Sequence, residues 1–286
     1  MIRSNCASFR AALFLATASS VFASGAVADS AAVAATSRTS VRAVETPSVP
    51  RQETVDAQLD MGAAARRAMR GMEGAARDNA RAAAIRAYRA VREHHPERSA
   101  ACAEAAFRAG ELLRAADDTA AAAAEFEIAR ARGDGTAFRA RAGLELGHLQ
   151  RRAAKLPAAL AAYEGVASDP SAAQTHRDDA WLWVGRVCAD LGRADDAVRA
   201  WERVATGAQD PLDRVRAFDS LALARLGVGD ADGAASVLAR CRDALSEVAQ
   251  EETSTGERVR SALQRMRAND EMERVRTRRG APPTAE

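Results

Sequence analysis

Trp181-Leu182-Trp183-Val184-Gly185-Arg186-Val187-Cys188 is an apolar run broken by one glycine and one arginine. A turn-like Leu191-Gly192-Arg193 follows, and then Ala197, Trp201 and Val204, spaced four and three apart. Offsets of three, four and seven put side chains on one face of an α-helix. The stretch therefore reads as helix, short turn, helix. Gly185 is the point where the second helix can approach the first closely.

The same pattern recurs along the chain. A small residue, a large one four later and an apolar one three after that occur as Ala84-Tyr88-Val91, Ala122-Phe126-Ala129, Ala159-Tyr163-Val166, Ala197-Trp201-Val204 and Ala234-Leu238-Cys241. The successive alanines stand 38, 37, 38 and 37 residues apart. Gly110, Gly147, Gly185 and Ala222 each precede their alanine by 12 residues. The unit before Ala84 has no glycine at that offset, and its first helix is expected over 63–76, with Met69 and Met72. A single helical hairpin cannot bury its apolar face, whereas stacked hairpins bury a continuous one and need a polar cap at each end. The predicted fold is all-α: an α-solenoid of about four to five stacked hairpins over residues 61–250. A C-terminal capping helix over 251–277 is expected from the capping box Ser254-x2-Glu257 and the stripe Val259, Leu263, Met266.

These residues carry a resemblance. The signature W-x2-L-G-x2-Y, then A-x3-F, then P is that of the tetratricopeptide repeat. Here it reads Trp181-x2-Val184-Gly185-x2-Cys188, Ala197-x3-Trp201 and Pro211, and Pro96 and Pro170 fall near the family's closing proline. The chain resembles that family over about residues 65–246. Its period of 37–38 exceeds the usual 34, so longer connections are expected.

Composition agrees with helices. About a quarter of the 286 residues are alanine and only 4% are aromatic, so the core must be built from small side chains at close range. That excludes sandwiches, barrels and parallel sheets, which need β-branched and aromatic residues. Met1–Arg10 is basic, Ala11–Ala23 is apolar, and Ala26-Val27-Ala28 offers a small-x-small cleavage site. Residues 1–28 thus read as a secretory signal, the apolar run being too short to span a membrane. Residues 29–60, with Pro47 and Pro50, read as a disordered linker, and 278–286 as a disordered tail. Without residues 1–28 the chain has 39 basic and 39 acidic residues. It lacks the basic surplus that nucleic-acid binding requires. Cys102, Cys188 and Cys241 remain; they read as small buried hydrophobes, with one bridge and a free thiol as the alternative.

No catalytic constellation can be assembled, so an enzyme is not expected. A phosphate-binding loop needs Lys after Gly, and the only lysine, Lys155, follows Ala154. Gly227–Gly233 lacks the first acid and the closing glutamate of a calcium loop and reads as an intra-hairpin turn. His94-His95 lie near Cys102, but adjacent helical residues point about 100° apart and chelate poorly. His176 is expected in a solvated loop. Neither metal nor cofactor is expected.

The resemblance implies a ligand groove lined by the first helix of each hairpin. Carried over to this sequence, its places include Glu104, Phe107, Glu111 and Arg114; Arg141, Leu144, His148 and Arg151, with Arg152 beside them; Asp179, Leu182, Arg186 and Asp190; and Arg216, Asp219, Leu223 and Leu226. Some family members clamp a peptide's C-terminal carboxylate with Lys and Asn. The matching places hold Phe107, Glu111, Leu144, His148, Leu182 and Arg186, so that specificity does not transfer. What remains is an apolar strip (Phe107, Leu144, Leu182) beside a basic group (Arg141, His148, Arg151, Arg152, Arg186). Such a surface suits a peptide with acidic side chains; the alternative is a face of solvated charges. The resulting expectation is an exported protein–protein interaction scaffold of a bacterial cell envelope, periplasmic or secreted. It would have a protein or peptide partner and no membrane span once residues 1–28 are removed. A binding protein for a cell-wall glycan is the alternative, with Phe107 as its aromatic candidate.

Overall fold

The computed structural model describes residues 48–280. The expected signal segment, and the linker up to residue 47, lie outside the described residues. Among the described residues twelve helices follow one another: α1 Val55–Ala68, α2 Gly74–His94, α3 Ser99–Arg114, α4 Thr119–Arg132, α5 Ala137–Arg152, α6 Leu156–Ala167, α7 Gln174–Asp190, α8 Ala194–Gly207, α9 Pro211–Gly227, α10 Ala231–Gln250, α11 Ser254–Gln264 and α12 Arg267–Gly280. The first ten pack in consecutive pairs, giving five hairpins, and α11 and α12 both pack on α9 and α10. The solenoid of stacked hairpins is the expected fold.

One turn closes four of the hairpins. The amides of Asp118, Lys155, Arg193 and Asp230 donate to the carbonyls of Leu113, Gln150, Cys188 and Arg225 at 2.8–3.1 Å. These are the six-to-one bonds of a Schellman motif, which needs a left-handed residue just past the helix. That residue is Asp117, Ala154, Gly192 or Gly229, with φ of 60°, 57°, 75° and 81°. Glycine therefore supplies it twice, and two L-residues hold the strained conformation in the other two turns.

Close helix approach is bought by glycine. A Cβ on Gly110 would fall 2.7 Å from the Phe126 ring, and Gly147 and Gly185 are covered in the same way by Tyr163 and Trp201. The marker alanines Ala84, Ala122, Ala159, Ala197 and Ala234 are all buried. Among the described residues Cys102, Cys188 and Cys241 are free and buried.

The ends differ from expectation. The first helix starts at Val55, inside the stretch read as linker. Thr54 caps it with a bond from Ala57 N at 3.2 Å, and Gln58, fully buried, ties down the preceding chain by accepting from Gln52 N at 2.9 Å. That helix ends at Ala68, not at residue 76, because Gly71 and Gly74 adopt positive φ and break it. The C-terminal cap is two helices separated at Arg265–Met266. The cap of α11 is Thr253, whose hydroxyl accepts from Gly256 N at 3.0 Å, rather than Ser254. Val259 and Met266 of the expected stripe are buried, but Met266 lies in the break.

Candidate functional site

The first helices α1, α3, α5, α7 and α9 touch one another in sequence as well as their own partners. Their exposed sides therefore form one continuous surface, the inner face. Its charges are paired in the first half. Glu111 on α3 receives Arg66 of α1 at 2.9 Å, Arg108 at 3.3 Å and Arg141 of α5 at 3.7 Å. Arg141 also lies 4.2 Å over the Phe107 ring. Glu111 and Arg141 thus neutralise each other rather than adding to a basic group.

Phe107 and Leu144 are not on the surface. Phe107 is 1% exposed and packs on Phe126 and Phe138 at 5.5 and 5.6 Å between ring centroids. Leu144 is also buried. These two members of the expected apolar strip belong to the core, because inner-face positions one helical turn apart alternate between groove and neighbouring helix. Only Leu182 of that strip stays half-buried. The burial of Phe107 also removes the aromatic candidate for a glycan.

The centre of the inner face is an aromatic and basic cluster. His148 Nδ1 and the Tyr163 hydroxyl share a hydrogen bond of 2.7 Å. Trp183 stacks on Tyr163, with ring planes 15° apart, and meets His148 edge-on at 4.9 Å. Arg151 lies 4.8 Å over Trp183. Burial first, and then Arg151, Arg152 and Arg114, lower the His148 pKa to about 4, so the ring is neutral. Burial raises Tyr163 in turn. Arg114 Nε and Glu145 Oε2 lie 3.4 Å apart without hydrogen-bond alignment, and both atoms, like Arg151 Nε, are buried without a hydrogen-bond partner among the described residues. Burial accordingly pushes Glu145 up.

No family model and no curated protein matches this sequence. Solved structures do. The crystal structure of MamA is 22% identical with a TM-score of 0.51, over 71% of this chain and 97% of that one. A TPR repeats protein from Bacteroides fragilis is 16% identical over 79% of this chain and 100% of that one, with a TM-score of 0.35. The quoted signature, the repeated turn and the likeness to MamA agree. This chain has the tetratricopeptide-repeat fold.

In tetratricopeptide-repeat terms, the groove positions fall into three groups. Phe107 and Leu144 are core. Glu111 is paired with both Arg141 and Arg66. Arg151, Arg152 and Arg186 lie at the centre; Arg152 and Arg186 are exposed, and Arg186 reaches only Asp190 of its own helix, at 3.5 Å. Asp219, another expected groove place, instead accepts from Ala268 N at 2.8 Å and anchors the start of α12 against α9. His176 sits in the first turn of α7 with Nδ1 buried, not in a loop, and burial lowers its pKa. His94 meets the Val49 carbonyl at 2.9 Å, while the Cys102 thiol donates to the His95 carbonyl at 3.4 Å. Among the described residues no group of three His, Cys, Asp or Glu is placed to hold a metal, and no helix is long and apolar enough to cross a membrane. Trp183 is the inner-face residue that sequence reasoning missed. It lies one position beyond Leu182, and in the sequence its large ring is one more member of an apolar run.

Proposed function

We propose that this protein is an exported, non-enzymatic scaffold that holds a protein or peptide partner in a bacterial cell envelope along the inner face of its repeats. One observation carries the reading: Arg151 and Arg152 on α5 stand beside His148, with Arg151 over Trp183, Arg186 follows Leu182 and Trp183 by one turn on the neighbouring α7, and no carboxylate from another helix pairs with these arginines among the described residues. Guanidinium groups with free donors favour carboxylates, in bidentate geometry. An acidic segment of a partner, lying across α5 and α7, would satisfy them. Trp183 already carries Tyr163 and Arg151 on its ring, so it offers little free face for a sugar. The basic and apolar runs before Ala28 support export.

Cross-linking and pull-down of the full chain from its native envelope tests the reading. A partner captured by wild type and lost with Arg151→Glu and Arg186→Glu is the expected result; equal capture by both would move the site off this face. N-terminal sequencing of the recovered protein should begin at Asp29, and a start at Met1 would contradict export.

A further inference from the structure

The first hairpin is built differently from the other four. Helices α4, α6, α8 and α10 each begin three residues before their marker alanine, but α2 begins at Gly74, ten residues before Ala84. The seven additional residues add two turns, about 10 Å of helix, and residues 74–79 are exposed. Helices used for stacking alone would not need this overhang.

The overhang closes one side of a cavity of about 930 Å³ between α1, α2 and α3. Its apolar floor includes Leu59, Met69, Leu112 and Tyr88. Its basic end is formed by Arg66, Arg67 and Arg70 from the last turn of α1 and the residues after it, together with Arg77 from the overhang and Arg81 just after it. Arg66 is paired with Glu111 and Arg81 with Asp78. Arg67, Arg70 and Arg77 have no carboxylate partner among the described residues. Of the acids in the lining, Glu111 is taken up by Arg66 and Arg108, while Asp56, Asp60 and Glu104 lie in the N-terminal halves of α1 and α3.

We infer that this cavity is a second binding site, separate from the central basic group, for an acidic amphipathic segment of a partner protein. The arginines supply charge complementarity to carboxylates. The apolar floor sets the class of occupant: alternating or helical apolar side chains bury there, which a bare polyanion cannot do. One of the five arginines, Arg77, comes from the overhang, so the extension of α2 adds to the basic end. It does not require that the centre of the inner face bind anything.

The test measures fluorescence anisotropy of a fluorescein-labelled peptide of alternating glutamate and leucine with the full chain. The same peptide with glutamine for glutamate, and inorganic polyphosphate as competitor, complete the set. Arg70→Glu with Arg77→Glu alters two exposed, unpaired side chains, and circular dichroism checks that the fold is kept; Arg77→Gln is the milder variant. The acidic peptide should bind wild type, weaken by roughly tenfold or more in the double variant, weaken measurably in Arg77→Gln, and weaken far less with Arg151→Glu and Arg186→Glu than in the double variant. Equal binding of the glutamine peptide, or no loss in the double variant, would overturn the inference. Loss only in the Arg151/Arg186 variant would overturn it while leaving the central group as the site. Tighter binding of polyphosphate, with displacement of the peptide, would overturn it in favour of a phosphate polymer.

Discussion

Gly62 lies beneath the ring of Tyr88 just as Gly110 lies beneath Phe126: an added Cβ would come within 2.5 and 2.7 Å of the respective rings. The first pair is 26 residues apart and the second 16. The extension of α2 changes the spacing but not the contact. Gly62→Ala should therefore destabilise the fold as Gly110→Ala does, each by about 1–3 kcal/mol through overpacking. Gly165→Ala, with nothing near its Cβ, should be neutral or stabilise by up to about 1 kcal/mol. Chemical denaturation of the three variants checks the order.

Ala154 holds φ of 57° in the turn where the next two hairpins use Gly192 and Gly229. A left-handed alanine costs roughly 1–2 kcal/mol. Ala154→Gly should raise stability, by up to about 1 kcal/mol after the added chain entropy of the unfolded state is counted. Gly192→Ala should lower it. Opposite shifts in melting temperature are the expected outcome.

His148 is neutral in the fold because burial and three nearby arginines depress its pKa to about 4, from 6.5. Between those values the unfolded chain binds a proton that the folded chain refuses. The stability contributed by the neutral ring is complete above about pH 6.5 and is lost as pH falls toward 4. Glu145 and Asp179, raised by burial, act in the opposite sense, since protonation relieves them. His148→Gln should therefore flatten the loss of stability between pH 6.5 and 4. An NMR titration of the ring should show no protonation above about pH 5.

Asp219 fixes the start of α12 through the Ala268 amide. Asp219→Ala removes a cap and should cost about 1 kcal/mol. Amide exchange should quicken over residues 267–275 and stay unchanged in α3 and α5.

Glu125 is 3% exposed and accepts from Arg89 and Arg92 of α2 at 2.7 Å each. It joins the first two hairpins through their second helices. Glu125→Gln keeps the shape but loses the charge, and should cost about 1–3 kcal/mol.

The fold was legible because the packing rule is local. A glycine twelve residues before an alanine, with an aromatic ring four residues after it, specifies a hairpin whatever surrounds it. Gly62 escapes because seven added residues of α2, with three more in the end of α1 and its turn, move it ten residues from that offset. Val259, Leu263 and Met266 keep the spacing of one helix across the break between α11 and α12, which backbone geometry alone reveals. The site was less legible. Sequence places Phe107 and Leu182 at equivalent positions, but burial depends on the neighbouring hairpin: Phe138 and Phe126 cover Phe107, while Leu182 stays half-buried. Likewise Glu111 stands 45 residues from Arg66, a pairing that no local pattern records.

The central claim is that the inner face of the repeats receives the partner. Hydrogen–deuterium exchange of the protein, alone and with its cross-linked partner, tests it most directly. The account predicts new protection in α5 and α7, around Arg151, Trp183 and Arg186, with α6 and α8 unchanged. Protection confined to α6 and α8 would contradict it.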